Sequence, residues 1–484
     1  MYPAQTSLIP VQIALARFLE QSGLSAFFGN YPYWYEGTTP FRYLTGPILP
    51  SVLAVIHRLV PSLSLFEIMF GVIGMAWVIG GIGVYLLVRE LGKGEESRAK
   101  KEVAFLAAIF YAFGPIVPFL FRFSDGLYLI AFSFLPFILL LYLRLLQNWT
   151  RKLTVSLVIL ISFVMLLDTL ILPTLLLGMA AIFLAQVGWK RMEEKLKQSL
   201  LLIAYCLLLV TLWYTPGYWW TLLGAPSFGG KGLAQVIVWL GKLLPVVLAF
   251  TLAVFSAKFF KKRNILRDFC FYWLFIFGFL TLIRFLSDPD FWLDWTAYGV
   301  ELQLGLAIAL GLIIRPLFSR LSAIRYLPYA IFVSYFLLFT FIFNRCVLGA
   351  LQRDIEQTVE YRIGSQLSEI ANPPAGGEKV FLSGTTAFWL NAFFDISQVR
   401  GGRDQVSVDP NWREAAWKIR HGESADEAER ALKVLKISYL VVHTEESEEF
   451  YHDFVYPERF ENVSGLVKIY DQNGDRVYRV KSPN

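Results

Sequence analysis

The stretch LFEIMFGVIGMAWVIGGIGVYLLVREL, residues 65–91, decides the fold class. Its charges are confined to Glu67 and to Arg89-Glu90, and as a helix it is long enough to cross the hydrocarbon layer of a bilayer. Similar runs follow, separated by short polar breaks: Val103 to Phe121, Leu127 to Leu146, Leu153 to Leu167, Ile171 to Gly188, Leu200 to Tyr214, Ala234 to Ala257, Phe269 to Phe285, Ala297 to Ile314 and Leu327 to Val347. With the first, they predict about ten spans. The fourth and fifth are parted only by Asp168 to Leu170, a tight hairpin.

The composition agrees. A chain of 484 residues that is 56% hydrophobic and 16% aromatic has more apolar surface than a water-soluble fold could hide. The formal charge of +6 is unevenly spread: residues 349–484 carry 16 Lys/Arg against 22 Asp/Glu, leaving 28 against 16 for the rest. The basic excess is a topology signal and gives no argument for a nucleic-acid partner.

Loops carrying Lys and Arg stay in the cytoplasm. One alternating set holds twenty, from Arg89, Lys93, Arg98, Lys100 and Lys101 through Arg144, Arg151 and Lys152 to Arg315, Arg320 and Arg325. The other holds four, Arg122, Lys231, Lys242 and Arg284. The first span therefore enters from outside and the last exits there, which predicts an extracytoplasmic N-terminal segment and tail in a multi-pass cell-membrane protein. Exporting residues 1–64 ordinarily requires a preceding signal-anchor helix, so a first span upstream of Met1 is expected; a translocated short N-terminus is the alternative.

Three domains are predicted: 1–64, an outer segment with short amphipathic helices; 65–348, the transmembrane helical domain; and 349–484, a small extracytoplasmic α/β domain. In the last, Val380 to Leu382 and Tyr439 to Val442 read as buried strands and Ala425 to Leu435 as a helix. Asn473-Gly474 between Val467 to Tyr470 and Arg476 to Val480 is a hairpin turn, because both positions tolerate positive φ. Asn372 to Gly377 makes a hinge.

No zinc, P-loop or dinucleotide pattern is present, and His57, His421, His443 and His452 are scattered. The three cysteines sit in or beside apolar spans, which leaves the tail without a disulfide. What remains is the set of ionisable groups at outer span ends, costly in lipid and hence functional candidates: Glu36, Arg42, Glu67, Arg122, Asp125, Asp168, Arg284, Asp288, Asp290, Asp294 and Glu301. A site acting on a lipid-linked phosphate needs a carboxylate to deprotonate an acceptor hydroxyl and cations to hold the phosphate.

Each candidate has a plainer reading beside it. Arg122 and Asp125 could form a local ion pair, Asp288-Pro289-Asp290 a solvated turn rather than a metal site, and Asp168 a helix cap rather than a ligand contact. The outer aromatics, among them Tyr31, Trp34, Tyr35, Tyr214, Tyr218, Trp219 and Trp220, could form an interfacial belt or a surface on which sugars stack.

The segment Tyr31-Pro32-Tyr33-Trp34-Tyr35-Glu36-Gly37-Thr38-Thr39-Pro40-Phe41-Arg42-Tyr43, followed by Gly46-Pro47, resembles the first outer loop of C-type (GT-C) membrane glycosyltransferases. Within that superfamily it is most similar to the membrane proteins described as 6-pyruvoyl-tetrahydropterin synthase-related. Ser124-Asp125-Gly126, Pro136 and the strand Leu435 to Val442 add to the likeness, which covers most of the chain through loose motifs. The synthase's histidine-rich zinc site has no counterpart. Where the family places a catalytic Asp, in a pattern like D-x-p-x-H, this chain has Tyr2-Pro3-Ala4-Gln5, so the Asp position falls at Met1 or upstream and Gln5 replaces the His.

The resemblance implies a GT-C-like polytopic helical fold and transfer of a sugar from a polyprenyl-phosphate donor, at the outer face, to a glycan, lipid or protein acceptor. No cofactor is implied beyond a divalent metal that the motifs leave open. In this scheme Glu36 or Asp125 is the base, Arg42, Arg122 and Arg284 hold the phosphate, and Asp168, Trp34 and Tyr35 contact the substrate. Two other classes are weighed against it: a flippase or transporter of lipid-linked glycan, and a non-catalytic envelope assembly protein.

Overall fold

The computed structural model describes residues 8–34, 37–43, 46–93, 97–116, 118, 126–188, 191–224, 232–259, 264–286, 298–320, 327–345, 355–370, 378–401 and 412–481. The chain divides into two compact units. One comprises Phe70–Trp213 and Ala234–Gly349; the other gathers Met1–Met69, Tyr214–Leu233 and Ala350–Asn484.

The first unit is helical. A helix occupies part or all of every run expected to span: Leu65–Leu91, Ser97–Ala112, Gly126–Gln147, Arg151–Leu167, Leu172–Gln186, Met192–Thr211, Leu233–Phe259, Ile265–Leu286, Gly299–Arg320 and Leu327–Phe343. Among the described residues, five are long and apolar enough to cross a membrane: 65–91, 127–147, 169–186, 265–286 and 299–316. The rest fall short through charge, as in the first two turns of Met192–Thr211, or through the length of apolar helix described.

Their outward faces are apolar, as lipid requires. Met75, Val78 and Ile82 are exposed along one side of Leu65–Leu91, while Ile73, Ala76, Val84 and Leu87 are buried on the other. Inside, close approach rests on small residues. A Cβ at Gly83 would sit 2.7 Å from the Phe137 ring, and one at Gly305 2.8 Å from the Trp273 ring.

The second unit carries a four-stranded sheet: β1 (Val380–Phe381), β2 (Tyr439–His443), β3 (Leu466–Gln472) and β4 (Asp475–Val480), in the order β1-β2-β4-β3. β1 and β2 are parallel and the other pairs antiparallel. Asn473 (φ 52°) and Gly474 (φ 80°) turn β3 into β4, as the sequence predicts. The helices Val359–Ile370 and Gly384–Phe393 pack together over a core that includes Ile363, Leu367, Leu390, Tyr439 and Val441.

The N-terminal segment belongs to this same unit. The helix Leu8–Ser22 packs on both Ile48–Leu59 and Gly384–Phe393. Arg17 pairs with Asp395 at 3.0 Å, and Gln21 donates to the same carboxylate at 2.9 Å. A short helix, Pro216–Gly224, packs against Pro40–Tyr43. Residues 1–64, 215–233 and the tail, three segments that the charge alternation assigns to one side, are thus brought together.

Candidate functional site

Within the helical unit, four helices bring polar groups to one place. Tyr128 lies in the first turn of Gly126–Gln147, Thr174 in that of Leu172–Gln186 and Glu301 in that of Gly299–Arg320. All three are buried. Glu301 Oε1 accepts the Tyr128 hydroxyl in a short bond and the Thr174 hydroxyl at 2.7 Å. The Glu301 carbonyl accepts the Trp273 indole N–H at 2.7 Å, bringing in Ile265–Leu286.

Two glycines make the convergence possible. Trp273 sits between the helices of Gly178 and Gly305, where a Cβ would lie 3.0 and 2.8 Å from its ring. An alanine at either place would push the indole, and with it the bond to Glu301, out of line.

Gln303, one residue beyond Leu302, faces a further segment. Its Oε1 accepts the Ile116 N–H at 2.8 Å and its Nε2 donates to the Tyr111 carbonyl at 2.7 Å. Gly114 lies so close that a Cβ there would stand 2.2 Å from the Gln303 amide carbon. A carboxylate buried in a helical bundle is costly, and hydroxyl donors offset that cost only in part. Glu301 Oε2 and the Tyr111 hydroxyl are buried without a hydrogen-bond partner among the described residues.

Of the candidates taken from the sequence, Arg284 lies at the C-terminal end of the Trp273 helix, 1% exposed and within electrostatic reach of Tyr298. Tyr298 precedes Glu301 by one turn in the left-handed region, φ 66°. Asp168 is buried, and its Oδ1 accepts the Leu170 N–H at 3.0 Å, capping the turn Thr169–Ile171. Arg42 falls on the short helix Pro40–Tyr43, and its side chain lies outside the described residues, as do Tyr35, Glu36, Arg122 and Asp125. Asp288, Asp290, Asp294 and the 372–377 hinge lie outside them too.

Trp34 is in the other unit, 1% exposed, with its indole N–H donated to Asn391 Oδ1 at 2.9 Å. Tyr31, Tyr214 and Tyr218 are likewise buried, whereas Trp220 stays 61% exposed. Among the described aromatics, Tyr31, Trp34, Tyr214 and Tyr218 therefore belong to the core of the second unit. The outer segments fold on one another, and aromatic area is what they bury.

Sequence reasoning also missed a buried cluster in the tail. His443 Nδ1 meets Asp475 at 2.8 Å and Nε2 meets the Thr386 hydroxyl at 2.9 Å. Glu449 receives the backbone N–H groups of Thr385 and Thr386 at 2.8 and 3.0 Å, at the start of Gly384–Phe393. Burial opposes charging His443, but Asp475, Glu449 and Glu360 outweigh it and raise its pKa. Asp453 follows the converse rule: burial would raise it, yet the Ser383 hydroxyl, Arg400 and Arg420 hold it below the ordinary carboxylate value. With His443 and Glu449 wholly buried, this cluster holds the domain together and offers no surface to a substrate.

No known protein family and no curated protein matches the chain. Among solved structures it is similar to the Archaeoglobus fulgidus oligosaccharyltransferase in complex with zinc and sulfate: TM-score 0.53 at 16% identity, covering 99% of this chain and 69% of that one. It is also similar to the arabinofuranosyltransferase AftD from Mycobacteria, TM-score 0.53 at 15% identity, over 100% of this chain and 40% of that one. The chain shares the fold of these two glycosyltransferases, and among its described residues five helices are long and apolar enough to cross a membrane. Among the described residues, no group of three or more His, Cys, Asp or Glu side chains is placed to hold a metal ion.

Proposed function

We propose that this protein is a membrane glycosyltransferase that moves a sugar from a polyprenyl-phosphate donor to a glycan, lipid or protein acceptor at the outer membrane face. The observation that carries the reading is the GT-C fold over essentially the whole chain. Leu8–Ser22 packs against the tail helix Gly384–Phe393, which supports placing both on one side of the membrane, and the basic loops support the outer side. About ten spans with basic loops inside complete the topology.

In this scheme Glu36 or Asp125 removes the proton of the acceptor hydroxyl, and Arg42, Arg122 and Arg284 hold the donor phosphate as the glycosidic bond breaks. In the same scheme Asp168, which also caps its own turn, contacts the substrate together with Tyr35 and with Trp34, whose indole is held by Asn391. The narrower affinity, to the 6-pyruvoyl-tetrahydropterin synthase-related group, rests on the sequence motifs alone.

The test is transfer from a radiolabelled polyprenyl-phosphate sugar by the purified full-length protein. A combined Glu36→Ala and Asp125→Ala variant should lose at least about 100-fold in rate, the usual contribution of a general base. Undiminished transfer would remove both assignments.

A further inference from the structure

Two Asn-x-Ser/Thr triplets occur in the chain, Asn148-Trp149-Thr150 and Asn462-Val463-Ser464. Such a triplet takes an N-linked glycan on an outward-facing surface, where its amide and hydroxyl are free to enter another protein's active site. The fold treats the two differently. Thr150 is the N-cap of Arg151–Leu167, its hydroxyl accepting the Leu153 N–H at 3.4 Å, and Lys195 lies over the Trp149 ring at 5.8 Å. That triplet is built into the helical unit, among the basic residues Arg144, Arg151 and Lys152 that assign its loop to the cytoplasm.

Asn462-Val463-Ser464 is the opposite case. It ends the turn Pro457–Asn462 and leads into β3. Asn462 and Ser464 are exposed, and neither side chain has a hydrogen-bond partner among the described residues. The backbone between them is pinned. Val463 is buried, its carbonyl accepts the Leu466 N–H at 3.1 Å, and the Ser464 carbonyl accepts the Lys481 ammonium at 2.8 Å. Asn and Ser in turns ordinarily bond to their own backbone, whereas here a fixed turn holds both polar groups out to solvent.

We infer that Asn462 is an N-glycosylation site, modified by a glycan carried on a polyprenyl phosphate or diphosphate. The Asn462 amide nitrogen bonds to the anomeric carbon of the first sugar, and the bond from that carbon to the phosphate oxygen breaks. The polyprenyl phosphate leaves with the electron pair, and the amide proton passes to a base of a separate oligosaccharide-transferring enzyme. The position suits a glycan. Glu461 Oε1 accepts the Lys468 ammonium at 3.4 Å, which sets the triplet beside β3, the open edge of the sheet, where Val467 and Ile469 are exposed. A glycan there screens an edge strand from pairing with other chains.

The assignment rests on the outer-face reading of the tail and not on the transferase reading. It is tested by mass spectrometry of the full-length protein purified from its own cells and digested with trypsin. Peptides 460–468 and 145–151 each contain one Asn. The first should carry a glycan mass with sugar fragment ions, and the second should be unmodified. Asn462→Gln and Ser464→Ala should lose the modified form while melting within a few degrees of wild type, because neither side chain is bonded, and Ser464→Thr should keep it.

An unmodified 460–468 in the wild type would overturn the assignment, as would a modification that survives in Ser464→Ala. Impermeant maleimide labelling of Glu445→Cys separates the two ways of failing. Labelled cells with an unmodified peptide leave the orientation standing and remove the site, whereas unlabelled cells remove both. A modified peptide in a protein inactive in transfer keeps the site and sinks the transferase reading.

Discussion

The Gln398 backbone N–H donates to the Tyr33 carbonyl at 2.9 Å, and so joins residues 365 apart in the chain. Gln398 also bridges Val380 of β1 in parallel, so the N-terminal aromatic segment continues the edge of the tail's sheet. Beside it, the Trp34 indole and the Gln398 side-chain amide donate to the same Asn391 oxygen, at 2.9 and 2.7 Å. This is the polar seam along which the two ends of the chain become one unit.

Trp34→Phe should therefore destabilise the unit by about 1–2 kcal/mol, the value of one buried hydrogen bond removed with its acceptor left in place. Trp34→Ala should cost about 3–5 kcal/mol, because a cavity is added. Denaturant unfolding of the purified protein measures both, and equal effects would show that the indole bond contributes nothing.

The His443 cluster predicts a pH dependence of stability. Its folded pKa is raised, so its contribution is complete below the unfolded value of about 6.5 and disappears as pH rises through the folded value. The thermal midpoint of the wild type should fall as pH rises from about 6.5 through the folded value. Asp475→Asn, which removes the carboxylate on Nδ1, should flatten the slope.

Gly384 has φ 71°, and a Cβ there would stand 2.6 Å from a Glu449 carboxylate oxygen. Gly384→Ala should cost at least about 2 kcal/mol, through both left-handed strain and displacement of the carboxylate from the helix N-terminus. A melting temperature unchanged from wild type would show that the carboxylate moves aside freely.

Orientation can be read on intact cells. Glu445 and Lys93 are exposed, whereas Cys206 and Cys270 are buried. A cysteine at 445 should react with an impermeant maleimide and one at 93 should not. The opposite pattern would invert the topology and strip the proposed reaction of its outer-face setting.

Much of this protein could be read from the sequence because the signals are local. Apolar run length predicts where helices form, and a positive-φ pair marks the β3–β4 turn. Period and composition also locate β1, β2 and the helix Ala425–Val434. Asp168 shows the limit of that reading: its residue type suits ligand and cap alike, and only the structure shows its bond to Leu170.

The sites were decided by contacts that no local pattern encodes. Glu301 stands out in sequence only as one outer carboxylate among several, and its partners Tyr128 and Thr174 lie 173 and 127 residues away. Trp34 could be surface or core until the tail supplies Asn391. Helices are specified by neighbours three and four residues apart, whereas a buried polar group is specified by whichever distant helix folds against it. That is why the helices were legible in the order of residues, and why the Glu301 contacts, the seam and the His443 cluster required the tertiary structure.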